Sequence, residues 1–97
     1  GEGGLPPGAL ILPTGDRVPL GEYVVSVGRQ TDCTIVLADP NVSRVHAEVR
    51  PAGDGFVVAD LGSTNGTKVN GLRVAEHELS DGDEVRFGNT AVRFEAS

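Results

Sequence analysis

Short apolar runs alternate with turn-forming residues along the whole chain. Val85, Phe87, Val92 and Phe94 alternate with polar residues on either side of Gly88-Asn89, a pattern typical of two strands joined by a tight turn, with these four side chains facing a core. Similar runs elsewhere predict further strands. The predicted strands are 9–12, 18–20, 23–27, 34–37, 46–50, 56–60, 68–70, 84–87 and 91–95.

The segment from Leu72 to Leu79 permits two interpretations. Leu72, Ala75 and Leu79 fall at helical spacing, but Gly71 and Asp81-Gly82 enclose the segment tightly. We predict two short strands here, with one helical turn as the alternative. Many short strands separated by turns at this spacing indicate an all-β sandwich or barrel.

The composition also favours strands over helices. The 14 Val and two Ile outnumber the eight Leu, and β-branched residues suit a pleated sheet. The 14 glycines and six prolines interrupt the chain often. A chain of 97 residues is expected to form one domain, here 9–97, after a disordered lead-in at 1–8. Because the sequence does not begin with Met, we interpret it as a domain of a longer protein.

The net charge and the cysteine content argue against several classes of partner and binding site. A net charge of −6 argues against a nucleic acid partner, since sequence-independent binding needs a basic surface. The single Cys33, expected to be a buried apolar residue, forms no intrachain disulfide and with two His cannot complete a four-ligand zinc site. We therefore expect no metal and no cofactor. No apolar run is long enough to span a membrane, and the lone thiol without a leader predicts a cytoplasmic location with no direct membrane contact.

Three segments carry more polar chemistry than folding alone requires: 27–29, 42–46 and 61–67. Each lies where a predicted strand meets a loop, the usual place for binding residues on a rigid scaffold. Together they offer two guanidinium groups, several hydroxyls, a carboxamide and glycine-flanked backbone N–H groups. This inventory suits a tetrahedral oxyanion, because Arg binds two oxygens while hydroxyls or N–H groups bind the third.

The order and spacing of these segments resemble the forkhead-associated (FHA) domain, a phosphothreonine-binding module. The matching motifs are Gly28-Arg29, Ser43-Arg44-Val45-His46, Ser63-Thr64-Asn65-Gly66-Thr67 and Asn70-Gly71. The resemblance implies an FHA-type β-sandwich of about eleven strands with its binding loops at one end. It also fits FHA domains of actinobacterial signalling proteins that work with Ser/Thr protein kinases.

The resemblance assigns binding roles to five matching positions. Arg29 corresponds to the arginine that clamps phosphate, and Ser43 to a hydroxyl that bonds another phosphate oxygen. Arg44 occupies the adjacent position, which in the family often also contacts phosphate. Thr64 matches the residue that contacts phosphate and helps to form the pocket for the threonine methyl. Asn65 matches the carboxamide that holds the ligand backbone.

Further positions match supporting residues of the family. His46 is similar to a structural histidine that braces the loops, and Gly28, Ser63 and Gly66 are expected to support them. Asn41 corresponds to a loop position that influences selection of the residue three places after the phosphothreonine. Because Asn41 is neutral, we expect no strong preference for an acidic residue there.

Most of these residues also have ordinary structural explanations when taken singly. Gly28 and Gly62 are typical of turns or of close backbone approach, and Arg29 alone is typical of a solvated loop. Asn65-Gly66 and Asn70-Gly71 are common hairpin-turn dipeptides. The acidic residues Glu76, Glu78, Asp81, Asp83 and Glu84 are expected to form a solvated face. The joint order of the three segments is what favours binding.

Two enzymatic interpretations are weaker. In segment 62–68, Thr67 separates Gly66 from Lys68 and a strand is expected to follow, unlike the Gly-Lys-Ser/Thr loop and helix of NTPases. A hydrolase would combine Ser43, His46 and Asp60, but Ser43 lies in no Gly-x-Ser-x-Gly elbow.

We therefore predict a non-catalytic phosphothreonine-peptide recognition module whose partner is a Ser/Thr kinase or its substrate. The alternative is a phospho-independent interaction domain that uses another face of the same fold.

Overall fold

The computed structural model describes residues 8–96, and every regular element within that range is a strand. Short strands arise because β-branched residues are repeatedly interrupted by turn-forming residues. None of the elements within 8–96 is a helix that could span a membrane. The strands are β1 (Gly8–Ile11), β2 (Arg17–Leu20), β3 (Val25–Gly28), β4 (Ile35–Val36), β5 (Ala47–Ala52), β6 (Gly55–Asp60), β7 (Thr67–Val69), β8 (Leu72–Val74), β9 (Glu76–Glu78), β10 (Glu84–Phe87) and β11 (Thr90–Ala96).

The strands form two packed sheets. One sheet has six strands in the order β2-β1-β11-β10-β7-β8, and the other has five in the order β4-β3-β5-β6-β9. Neighbours are antiparallel except β3 and β4, which pair in parallel. The predicted all-β sandwich is therefore confirmed.

The core lies between the two sheets and is built from alternating positions of the strands. Val85, Phe87, Val92 and Phe94 are each at most 3 % exposed, as the alternation around Gly88-Asn89 predicted. In the facing sheet, Val25, Val27, Val49 and Val58 are buried to the same degree. Apolar residues on the inner faces of both sheets thus provide the main stabilising contact between them.

The segment between Leu72 and Leu79 forms two strands, and the alternative of a helical turn is wrong. Asn70 and Gly71 have positive φ angles of 51° and 86°, which close a tight hairpin between β7 and β8. After Ala75 the chain crosses to the other sheet, where β9 pairs with β6. A helical turn would leave the backbone groups of both edge strands unpaired.

Two details differ from the expectations drawn from the sequence. Gly8, the last residue of the expected lead-in 1–8, is buried and begins β1, while residues 1–7 lie outside the described residues. Asp83 is buried rather than part of a solvated acidic face, because its carboxylate accepts hydrogen bonds from Asn70 Nδ2 at 2.9 Å and from the Ser80 N–H at 2.8 Å. It therefore fixes the turn before β10.

Candidate functional site

Three loops meet at one end of the sandwich: 29–34 after β3, 37–46 before β5 and 61–66 between β6 and β7. They enclose a shallow depression of about 140 Å³. The predicted residues Arg29, Asn41, Ser43, Thr64 and Asn65 all line it. Pro40 and Val42 complete the lining. The structure thus brings together side chains that are up to 36 positions apart (65 − 29) in the sequence.

Arg29 is fixed by its own loop in a way that leaves its charged end available. Its Nε donates to the Val42 carbonyl at 2.5 Å, and its backbone N–H donates to the Ser43 carbonyl at 3.1 Å. The two Nη groups take part in none of the hydrogen bonds or ion pairs among the described residues. A guanidinium with both Nη groups open can bind two oxygens of one oxyanion.

Ser43, in the loop before β5, is held by the loop between β6 and β7. The Thr64 N–H donates to Ser43 Oγ at 3.1 Å. A hydroxyl that accepts one hydrogen bond still has its own proton to donate. Thr64 itself is exposed at the rim, so its side chain is accessible to a ligand in the depression.

His46 ties two of the loops together from below. Its ring is fully buried, Nδ1 accepts from the Ser43 N–H at 3.0 Å, and Nε2 lies 2.9 Å from the Gly66 carbonyl. These partners require a neutral ring with the proton on Nε2, because an N–H can only donate and a carbonyl only accept. Phe87 packs edge-on against the ring, with centroids 5.7 Å apart. The buried ring therefore connects the loop 37–46 to the loop 61–66.

Asn65 links the loop before β7 to the loop before β5. Its Nδ2 donates to the Asn41 carbonyl at 2.9 Å, which leaves Oδ1 without a partner among the described residues. Asn65-Gly66 does not form the hairpin turn that the dipeptide suggested, since β6 ends at Asp60 and β7 begins at Thr67. The carboxamide is instead placed at the depression, with an open acceptor.

Asp60, the last residue of β6, holds the loop 61–66 in place through hydrogen bonds. One carboxylate oxygen accepts from the N–H groups of Gly62 and Ser63, both at 3.0 Å, and the other from Ser63 Oγ and Thr67 Oγ1. Ser63 Oγ in turn accepts from the Gly66 N–H at 2.9 Å. Burial opposes ionisation, but the hydrogen bonds from Ser63 and Thr67 prevail and lower the pKa of Asp60 below 3.8. The sequence interpretation had considered Asp60 only as part of a hydrolase.

Asp39 was not identified from the sequence, although it shapes the site. Its carboxylate accepts from the N–H groups of Asn41 and Asn89 and from Thr90 Oγ1, each at 2.8 Å. The hydrogen bond from Asn41, followed by that from Thr90, lowers the pKa of Asp39 below 3.8. The turn sequence Asp39-Pro40-Asn41 was the available signal, because Asp commonly bonds the backbone two residues on. Asp39 thereby anchors the Asn41 loop to the turn between β10 and β11.

Gly28 is required by a close approach of two backbones. A Cβ atom at this position would lie 2.1 Å from the Arg44 carbonyl oxygen, so any side chain would push the loops apart. The same carbonyl accepts from the Gln30 N–H at 3.1 Å and from the buried Cys33 Sγ at 3.5 Å. The Arg44 side chain is exposed and, unlike the other predicted binding residues, does not line the depression.

The geometry does not support the hydrolase interpretation. His46 Nδ1 faces the backbone N–H of Ser43 rather than its hydroxyl, and Asp60 Oδ1 is 4.0 Å from Nε2. A nucleophile activated by a base requires a hydrogen bond between the two side chains. Within residues 8–96, no three His, Cys, Asp or Glu residues are grouped so as to hold a metal ion.

Several curated proteins are similar to this chain in sequence. The chain is 42% identical over 97 residues to the glycogen accumulation regulator GarA of Mycobacterium tuberculosis, covering 94% of this chain and 60% of that protein. It is 40% identical over 97 residues to the oxoglutarate dehydrogenase inhibitor of Corynebacterium jeikeium, covering 94% of this chain and 67% of that protein. The chain thus spans about three-fifths of the length of the GarA relatives that it matches.

Solved structures show the same architecture. A domain studied for phosphothreonine-dependent FHA domain interactions superposes with a TM-score of 0.86 at 38% identity, covering 92% of this chain and 95% of that one. Mycobacterium tuberculosis EmbR, solved with a low affinity phosphopeptide, gives 0.88 at 34% identity, covering 95% of this chain and 25% of that one. The family model described as FHA domain matches residues 25–88, which include all the predicted site residues. The chain belongs to the FHA domain family, as its motifs predicted.

Proposed function

We propose that this FHA domain binds phosphothreonine-containing segments of partner proteins and carries out no catalysis. The observation that carries the proposal is a set of open hydrogen-bonding groups on one depression. Arg29 Nη and the Ser43 hydroxyl proton are free there, while Arg29 Nε and Ser43 Oγ are already held by the protein. Donors fixed in advance suit an oxyanion, because they need no reorganisation when it binds.

The ligand chemistry follows from size and charge. Phosphothreonine brings a charge of about −1.5 to −2 and three acceptor oxygens. The depression of about 140 Å³ is below the range of about 300–1,000 Å³ that is typical of small-molecule pockets. A phosphate group on an extended peptide fits it better than a buried metabolite does. The overall charge of −6 does not prevent this, since the Debye length of about 8 Å leaves Arg29 dominant locally.

We assign the other residues the roles that the family motifs imply, which their positions in the structure permit. Thr64 contacts the threonine methyl and phosphate, while the open Oδ1 of Asn65 accepts an N–H of the ligand backbone. Asn41 lines the depression, and the family motif assigns it to the residue three places after the phosphothreonine. Arg44 reaches the phosphate only if its exposed side chain turns towards the depression on binding. These assignments belong to the proposal.

Known relatives support a regulatory setting. GarA is a glycogen accumulation regulator, the corynebacterial relative is an inhibitor of oxoglutarate dehydrogenase, and EmbR was solved with a phosphopeptide. We place this domain likewise in Ser/Thr-kinase signalling, with a kinase or its substrate as partner. A reducing, cytoplasmic compartment suits its free Cys33 thiol and is part of the same proposal.

Isothermal titration calorimetry with a degenerate phosphothreonine peptide library, against the same library unphosphorylated, tests this function. We expect binding of the phosphorylated library alone, in the micromolar range or about −8 kcal/mol. Arg29→Ala should abolish it without lowering the melting temperature. Arg17→Ala, which removes the same charge at the far edge of the six-stranded sheet, should bind as the parent does. Equal binding of both libraries would contradict the proposal and favour a phospho-independent interaction through another face.

A further inference from the structure

Three basic residues stand side by side on the outer face of the six-stranded sheet. Arg86 of β10 is in register with Lys68 of β7, and Lys68 with Arg73 of β8. Thr67 and Val69, which flank Lys68, are buried, so the row faces outward. Neighbouring strands are about 4.8 Å apart, so this basic row (Arg86, Lys68 and Arg73) spans about 10 Å.

The charge pattern of the row is unfavourable for the isolated domain. Like charges directly opposite each other on neighbouring strands are destabilising. Two residues along β10, Glu84 is instead in register with the oppositely charged Arg93. Arg86 has Glu84 at 3.7 Å, but Lys68 and Arg73 take part in none of the ion pairs within 8–96. Although the sequence has 14 acidic residues, none of those in the described part of the chain forms an ion pair with either of these two neighbouring cations.

The basic row is continuous with the proposed phosphothreonine site. The side chain of Arg73 leans along the sheet until Nε is only 2.6 Å from where a Cβ of Gly66 would lie. Gly66 follows Asn65, which lines the depression, and its carbonyl lies 2.9 Å from His46 Nε2. Lys68 is three residues beyond Asn65, a path of about 10 Å when extended. A bound segment that leaves the depression over Asn65 reaches the row within a few residues.

We propose that the basic row binds acidic side chains of the same partner segment that presents the phosphothreonine. The inference rests on the proposed function and extends it to a partner with Asp or Glu about four to six residues from the phosphothreonine, beyond the residue assigned to Asn41. Charge complementarity selects this occupant, because the remainder of a domain with a net charge of −6 repels an acidic segment. Through these contacts, the basic row fixes the position of the partner segment on the domain and favours partners with acidic residues near the phosphothreonine.

Paired peptides separate this inference from the proposed function. One phosphothreonine core is extended by three Glu residues, four to six positions before or after the phosphothreonine, and its counterpart carries Gln there. With Glu placed on one side of the phosphothreonine, either before or after it, we expect the peptide to bind the parent protein about fivefold to tenfold more tightly than its Gln counterpart. High salt should reduce this gain.

Matched variants assign the gain to the row. Lys68→Gln/Arg73→Gln should abolish the gain and keep the affinity for the Gln peptide, and Lys68→Gln alone, which leaves the contact at Gly66 intact, should reduce it. Arg17→Gln/Arg50→Gln changes the net charge equally, at the far edge and in the other sheet, and should keep the gain.

Each remaining outcome contradicts the inference, either alone or together with the proposed function. Tight binding of both peptides without a Glu-dependent gain, or a gain that survives in Lys68→Gln/Arg73→Gln, overturns the inference but not the proposed function. Failure of all the phosphorylated peptides to bind overturns both. A single-stranded oligonucleotide that binds only through the row, without a gain for Glu peptides, would assign the row to nucleic acid and overturn the inference.

Discussion

The backbone N–H of Thr64 donates a hydrogen bond to Ser43 Oγ at 3.1 Å and joins two loops whose residues are 21 positions apart. This bond orients the hydroxyl: because Ser43 Oγ accepts from the Thr64 N–H, its own proton points away from that N–H and is donated elsewhere. Ser43 is fixed on its other side as well, since its own N–H donates to His46 Nδ1. The residue proposed to bind phosphate therefore also takes part in the hydrogen bonds that join the loops.

Ser43→Ala should weaken phosphopeptide binding by about 1.5–3 kcal/mol, the usual value of a hydrogen bond to a charged group. The melting temperature should change little, because the hydrogen bond from the Ser43 N–H to His46 is kept and water can replace Ser43 Oγ at the exposed Thr64 N–H. Calorimetric titration and thermal unfolding of the same samples measure the two effects. Ser80→Ala, an exposed serine before the Asp83 turn, serves as the control and should bind normally. Unchanged affinity in Ser43→Ala would remove Ser43 from the phosphate site.

Phosphoserine in an otherwise identical peptide should bind more weakly than phosphothreonine. The two ligands differ by one methyl group, and contacts with such a group in a small apolar niche are worth about 1–3 kcal/mol. The proposed function assigns that contact to Thr64, which lines the depression, so Thr64→Ser should reduce the difference between the two ligands. Competition titrations with both peptides against both proteins give the comparison. Equal affinities for the parent protein would eliminate the methyl contact at Thr64.

His46→Phe should uncouple the loops while keeping a ring against Phe87. The substitution removes the acceptor for the Ser43 N–H and the donor to the Gly66 carbonyl, and each buried polar group left without a partner costs about 1–3 kcal/mol. We expect a lower free energy of unfolding in urea together with weaker phosphopeptide binding. His77→Phe, on the exposed strand β9, is the matched control. Normal stability of His46→Phe would show that the loops are held by other contacts.

Local pattern was sufficient to predict the strands, because alternation such as that of Val85 and Phe87 is set by which face each residue presents to the core. The position of Arg29 beside Ser43 was expected only through the family motif. Asp39 was missed because it bonds Asn89 and Thr90, 50 and 51 residues later, and such partners depend on how the loops pack. Local pattern likewise could not predict that Lys68 lies directly across from Arg73, because this placement depends on the register between β7 and β8.

Binding should weaken as the pH falls through about 6, where the phosphate loses its second charge. Between pH 7.5 and about 5 the dianion becomes the minor form, and we expect about a tenfold loss of affinity. The lowered pKa of Asp39 keeps that carboxylate ionised in this range, so the loop that it anchors is not released. Titrations at several pH values, with the melting temperature followed in parallel, test this. A flat affinity profile would contradict a clamp for the phosphate dianion.

Asp60→Asn should destabilise the domain by about 1–2 kcal/mol at neutral pH, because one of the two oxygens that accept hydrogen bonds from Gly62, Ser63 and Thr67 is lost. The pKa of Asp60 is lowered in the folded state. Its contribution to stability is therefore present above the unfolded value of about 3.9 and is lost as the pH falls through the folded value, below 3.8.

The difference in the free energy of unfolding between the parent protein and Asp60→Asn should accordingly be constant near neutrality and shrink below about pH 4. Urea unfolding from pH 7 downward measures it. Asp54→Asn, in the exposed turn between β5 and β6, should match the parent over the whole range. A difference that persists unchanged into strong acid would mean that Asp60 acts through its shape and not through its charge.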